Sequence, residues 1–213
     1  MFEQWVEAVR PENVRLTAGL DIGFEDADAF SIIAYVPKLH APKDYADPRD
    51  RIRYGDVSAL PGQELTRKRW LIWEYKARRT GLTELANAIT KGLAETSRRC
   101  LDLGISASPQ IFSDTGGGGA KMVHDLRTIH KLPVRPAYKR DKVAALELLQ
   151  DEVRAGDFIV PVDGEFAREA EVTVWTKDPD TGMIIREIDD RAFHPDFLDS
   201  VLYAMRSIWA TTL

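Results

Sequence analysis

Two apolar runs stand close together near the start of the chain, Leu16–Gly23 (LTAGLDIG) and Ala29–Val36 (AFSIIAYV), with only FEDAD between them. Runs of this length bounded by turn-forming residues predict two β-strands in a hairpin. They commit the chain to a sheet, and they bury a problem in it. Asp21 sits among apolar neighbours, where a carboxylate is expensive to desolvate unless it is paired or bound to a cation. A polar segment from Pro37 to Lys68 follows, rich in Pro, Asp and Arg and without a period, which suggests a surface excursion.

Beyond it, strand and helix signals alternate. Arg69–Lys76 (RWLIWEYK) reads as a third strand, with bulky residues on both faces. From Leu82 to Leu103, Leu82, Leu85, Ala86, Ile89, Leu93, Thr96, Ser97 and Cys100 recur at three- and four-residue steps, the stripe of an amphipathic helix. Cys100 lies on that stripe and reads as a core thiol. Gln110–Asp114 (QIFSD) predicts a fourth strand running into Gly116–Gly119. A short helix (Ala120–His130) and a strand (Val134–Ala137) come next. Asp141 is placed to cap a helix reaching Ala155, with Gly156 as its stop. Phe158–Val160 predicts a short strand, and Val172–Trp175 with Met183–Ile188 a hairpin across DPDTG. A final helix runs from His194 or Pro195 to about Thr211. Early antiparallel strands followed by alternating helices and strands predict one α/β domain, a mixed sheet with helices on both faces.

Composition narrows the function classes. The chain has 213 residues, 29 basic and 34 acidic side chains and a formal charge of −5. Nucleic-acid binding through the overall field is therefore excluded. No run of about 18 apolar residues predicts a membrane span. The opening MFEQWVEAVRPENVR is charged where a signal peptide is apolar. One cysteine makes neither an internal disulfide nor a zinc site, and the whole favours a reducing, cytosolic compartment. The total hides an asymmetry, however. Between Lys121 and Lys142 seven basic residues (Lys121, Arg127, Lys131, Arg135, Lys139, Arg140, Lys142) stand against Asp125 and Asp141, a local +5 that leaves −10 elsewhere. Arg67–Arg69 and Lys76, Arg78 and Arg79 form smaller clusters. Local charge of this kind suits phosphate contacts that position a duplex without reading it.

Two further acidic positions join Asp21. Asp114 ends an apolar strand just before the glycines, at the kind of strand end where sites gather in α/β sheets. On the final helix Asp196, Asp199, Tyr203 and Arg206 share one face, opposite Leu198, Val201, Leu202, Met205, Ile208 and Trp209. Taken singly, Asp196 also answers a helix dipole, Asp199 could pair with Arg206, and Asp114 could open an Asx turn. Taken together, carboxylates on three separate elements are what hard divalent cations require.

This order of pieces resembles the nuclease domain of tailed-phage large terminases. The matching stretches are GLDIGFEDADAFSIIAY, IFSDTGGGGAKMVHDL, KRDKVAALELLQDEVRAGDFIVP and HPDFLDSVLYAMRSIW, within residues 16 to 211. The resemblance implies an RNase H-like fold and a metal-dependent endonuclease that cuts concatemeric viral DNA by two-metal phosphodiester hydrolysis. It implies Asp21, Asp114 and Asp199 as ligands of two Mg²⁺ or Mn²⁺ ions, with Asp21 bridging them and Asp196 assisting. Asp28 and His194 take secondary places. Lys142 would contact DNA near the scissile phosphate, with Arg140, Lys139 and Lys121 as further DNA contacts. Double-stranded DNA is the implied substrate. The portal and the small terminase subunit are implied partners of the full-length protein, in the host cytoplasm and without a membrane.

Ser200 stands where many members have Ala. Residues 1–15 read as a connector from a packaging ATPase that this chain lacks, and 16–213 as the nuclease domain. GGGGAKM lacks the spacing and the hydroxyl residue of a nucleotide-binding P-loop. Three competitors remain: a fragment of an actin or sugar-kinase ATPase, suggested by LDIG and DTGGGG; a Holliday-junction resolvase or RNase H; and a silent DNA-binding or portal-docking module.

Overall fold

The computed structural model describes residues 1–23, 26–37, 63–116, 119–139, 141–178, 180–188 and 194–212. The apolar hairpin forms the middle of a six-stranded sheet. Strand β1 (Arg15–Asp21) pairs antiparallel with β2 (Ala27–Tyr35), and β2 pairs antiparallel with β3 (Arg69–Arg78). On the other side of β1, β4 (Gln110–Ser113) runs parallel to it and β5 (Val134–Pro136) parallel to β4. The two-residue β6 (Phe158–Ile159) closes the far edge beside β3, for an order β5-β4-β1-β2-β3-β6. Strands β7 (Trp175–Lys177) and β8 (Ile184–Ile188) form a separate antiparallel hairpin.

Both faces of the sheet are covered, which is why its central strands are nearly continuous apolar runs. On one face Ala18, Leu20, Phe30 and Ile32 pack against Leu85, Ala86 and Ile89 of α3 (Leu82–Asp102) and Val123 and Leu126 of α4 (Gly119–Thr128). Further along, α1 (Phe2–Val9) packs Phe2, Trp5, Val6 and Val9 with Val14, Leu16, Val36, Cys100 and Ile105. Trp5 Nε1 donates to the Leu65 carbonyl at 2.8 Å, tying α1 to the short α2 (Gln63–Arg67). On the opposite face Ala29, Ile33 and Leu71 pack with α5 (Lys142–Arg154), α6 (Glu165–Val172) and α7 (Asp196–Thr212). Cys100 is a buried core thiol, as its stripe predicts.

Alternation along β1 sends Thr17, Gly19 and Asp21 toward α7. The helix lies almost on the strand's backbone. A Cβ at Gly19 would overlap the Ser200 carbonyl oxygen and stand 2.7 Å from its carbon and 3.1 Å from Ala204 N. Ser200 Oγ donates to the Gly19 carbonyl at 2.8 Å and lies 2.8 Å from Ser31 Oγ, which in turn must donate to it. Thr17 Oγ1 meets Ser207 Oγ at 2.8 Å. The serine at 200 therefore stitches helix to strand.

Several elements differ from the sequence reading. β1 ends at Asp21, not Gly23, and β2 begins at Ala27; Phe24 and Glu25 lie outside the described residues. Within the Pro37–Lys68 segment, residues 38–62 lie outside them too, while 63–67 are helical. Val172 ends α6 instead of opening the hairpin, whose first arm is Trp175–Lys177. Helix α6 escapes the sequence because its support is remote: Glu74 Oε1, on β3, accepts the Phe166 N–H at 3.0 Å. Helix α1 covers most of the stretch read as a connector and shares its core with β1 and α3. The α5 boundaries hold: Asp141 Oδ1 accepts the Ala144 N–H at 3.0 Å, and Gly156 follows at a φ of 68°.

Gly19→Ala should destabilise the fold by about 3 kcal/mol or more, since overpacking against backbone leaves nothing to yield. Ser200→Ala should lose about 2 kcal/mol, for two buried hydrogen bonds. Thermal unfolding of the two variants checks that order.

Candidate metal centre

Strand register brings the first two carboxylates together. Leu20 of β1 lies opposite Ser113 of the parallel β4, so Asp21 and Asp114 leave the same end of the sheet on neighbouring strands. Helix α7 adds Asp199 from above. The three line a cleft of about 330 Å³ whose other walls are Lys139, Lys142, His194, Leu202, Tyr203 and Arg206.

The cleft is acidic but its charges are mostly met. Lys142 Nζ lies 2.7 Å from Asp199, and Lys139 Nζ pairs with Asp114, whose Oδ1 also accepts the Gly116 N–H at 2.7 Å. Asp21 makes no ion pair among the described residues. Burial, with the charges of Asp199 and Asp196 beside it, raises its pKa to about 7. Burial and the charges of Asp21, Asp199 and Asp114 also push the Tyr203 hydroxyl up. A carboxylate that resists ionising because other carboxylates surround it is one that a cation would relieve.

Asp196 is not on the cleft wall. It is buried behind it, with His194 Nδ1 donating to its Oδ1 at 2.9 Å and Lys76 Nζ 3.2 Å from its Oδ2. Against the desolvation of burial, these two partners hold Asp196 below the ordinary carboxylate range, and Asp196 in turn lifts His194 to about 9. Lys76 also pairs with Glu169 of α6, which accepts the Phe197 N–H at 3.1 Å and the Leu198 N–H at 2.9 Å. Glu169 thereby satisfies the open amides at the start of α7 and fixes the turn that presents Asp196 and Asp199.

Ligand atoms of Asp21, His194 and Asp196 lie within 4.8 Å of one another. Two overlapping sets thus share Asp21, this one and the carboxylates of the cleft. In this set Asp196 is paired with Lys76 and His194, as Asp114 and Asp199 are paired with Lys139 and Lys142. Asp21, Asp114 and Asp199 offer the oxygen donors that Mg²⁺ or Mn²⁺ prefers, with displaceable lysines on two of them.

The remaining sequence candidates are dispersed. Asp28 is buried beside β1, accepting from Gly23 N at 3.2 Å and from Thr80, and burial raises it to about 6. Lys121 is an exposed residue of α4 off the cleft wall, and Arg140 lies outside the described residues. Lys76, counted with a surface basic cluster in the sequence, is turned inward onto Glu169 and Asp196. Glu169 escaped notice entirely, because only the fold brings α6 beneath the start of α7.

Solved structures share this fold. The P22 large terminase nuclease domain matches 92% of this chain and 82% of its own, with a TM-score of 0.55 and 14% identity. The full-length large terminase of a thermophilic bacteriophage matches 94% of this chain with a TM-score of 0.61 and 14% identity. The fold is that of the large terminase nuclease domains. The large terminase nuclease of thermophilic phage G20c also matches, over 94% of this chain and 84% of its own, with a TM-score of 0.53 and 14% identity. This terminase-nuclease fold spans only 40% of the full-length bacteriophage chain. No protein-family model and no curated protein matches the sequence.

The Asp21 value near 7 lies above that of an unfolded aspartate, so its proton favours the folded state. That contribution is complete below about pH 4 and is lost as pH rises through 7. In metal-free protein, Asp21→Asn should therefore stabilise the fold by about 2–4 kcal/mol at pH 8 and have little effect near pH 4. Thermal melts of both proteins in EDTA across this range check it. In wild type, Mn²⁺ added at pH 8 should raise the melting temperature, and Asp21→Asn should abolish that rise.

Proposed function

We propose that this chain is a metal-dependent DNA endonuclease of the large-terminase type, which cuts concatemeric viral DNA during genome packaging. The observation that carries the reading is the convergence of Asp21, Asp114 and Asp199, from β1, β4 and α7, on one cleft walled by Lys139 and Lys142. Mg²⁺ or Mn²⁺ bound there supplies Lewis-acid charge for in-line attack of water on a phosphodiester and for the departing oxygen.

The chain's own residues divide the remaining work. Asp21, without an ion pair among the described residues, would serve both cations, with Asp114 and Asp199 completing their ligand sets. Asp196 acts from behind, holding His194 and, with Lys76 and Glu169, the start of α7. Lys139 and Lys142 exchange their carboxylates for DNA phosphates when cations arrive, and with Arg140 and Lys121 they hold the duplex without reading bases. Residues 1–15 lead from the packaging ATPase of a longer chain. The portal and the small terminase subunit are partners of that full-length protein, which works in the host cytoplasm.

Wild-type protein should nick and linearise supercoiled plasmid in Mn²⁺ and stop in EDTA, while Asp21→Asn, still folded, leaves plasmid intact. Undiminished cleavage by Asp21→Asn overturns the site. Preference for four-way junctions or RNA–DNA hybrids over plain duplex would move the chain to the resolvases or to RNase H.

A further inference from the structure

Arg206 is the least expected member of the cleft. It stands two turns along α7 from Asp199, only 7% exposed, among the residues that line the acidic pocket. Its Nη1 donates to the Tyr138 carbonyl at 2.6 Å. Its Nε and Nη2 are buried and have no hydrogen-bond partner among the described residues. Nor is it ion-paired to a carboxylate among the described residues: Asp114 and Asp199 are taken by Lys139 and Lys142. Burial lowers its pKa from the usual guanidinium value, the nearby Asp199 partly offsetting this, and arginine remains charged regardless.

The two idle donors are not scattered. Nε–H and Nη2–H lie side by side along one edge of the planar guanidinium and point the same way, the fork that grips two oxygens of a phosphate or carboxylate. Buried charged donors left without acceptors are costly to a fold, and they persist where a ligand completes them. A carboxylate ligand is disfavoured in a cleft already holding Asp21, Asp114 and Asp199. A phosphate is different, because cations bound to those acids would make the cleft attractive to it. Resting on the nuclease reading above, we propose that Arg206 is a phosphate-binding residue of the cleft, gripping one backbone phosphate of the DNA through Nε and Nη2. Without DNA, Nη1 on the Tyr138 carbonyl parks the guanidinium next to Lys139. Both idle nitrogens are shielded from solvent without DNA, so engagement turns the outer side-chain torsions toward the cleft.

The test uses a short duplex in Ca²⁺, which supports binding without rapid cutting, followed by cleavage in Mn²⁺. Arg206→Gln should weaken duplex affinity about 10- to 100-fold whatever the sequence, the loss expected for hydrogen bonds to a charged group. Its salt dependence should flatten by about one phosphate contact. Arg206→Lys, which keeps the charge but not the fork, should recover only part of the affinity. In wild-type protein the Arg206 Nε–H resonance should shift on adding duplex, a readout that survives even if the Gln variant folds poorly. Wild-type affinity and salt slope in both variants, or an Nε–H resonance that duplex leaves unmoved, overturns the assignment while the nuclease reading stands. Wild-type protein that neither binds nor cuts DNA overturns both.

Discussion

Helix α7 rests on β1 at a distance that only a glycine permits, and the functional geometry depends on that contact. Gly19 removes the side chain that would hold the helix off. Ser200 then hydrogen-bonds the exposed strand carbonyl, and Thr17 and Ser207 repeat the link farther along. One residue beyond this seam in the alternation of β1 is Asp21, and one residue before Ser200 is Asp199. Close packing of backbones is what converts two residues 178 positions apart into neighbours facing the same cleft. Were the helix lifted by a methyl group, the acids would still be present but the space between them would change.

Around that seam the charges are arranged in layers. Asp21, Asp114 and Asp199 face the cleft, two of them held by lysines at its wall. Behind them Asp196 and Glu169 are buried, and with Lys76 and the more exposed His194 they form a chain in which each group has a partner of opposite sign. The outer pairs face the cleft and the inner ones are enclosed, a division suited to the proposed binding of cations and phosphate without loss of shape. The excess of basic residues between Lys121 and Lys142 acquires a local meaning here, since Lys139 and Lys142 line the cleft and do not merely coat the surface.

What the sequence revealed was local. The apolar hairpin, the stripe of α3, the Asp141 cap and the buried Cys100 all follow from residues near one another in the chain. The convergence of Asp21, Asp114 and Asp199 could be suspected because each sits at a strand end or a helix start. The rest depended on distant partners. Helix α6 is capped by Glu74, some ninety residues earlier. Lys76 looked like part of a solvated cluster until β3 turned it toward Glu169 and Asp196. The polar face of α7 looked like a surface, yet Asp196, Asp199 and Arg206 are all buried, because the helix is packed between the sheet and α5 and α6 and its polar face turns into the cleft.

The order in which these elements leave the ribosome gives the seam between β1 and α7 another meaning. The strand that contributes Asp21 is synthesised long before the helix that contributes Asp199, and β4 with Asp114 falls midway. No earlier fragment of the chain holds all three carboxylates, and no pair of adjacent elements can rehearse the cleft. Until α7 is made and seated on Gly19, the nascent polypeptide cannot assemble the cleft. Maturation of the centre is thus timed by translation itself.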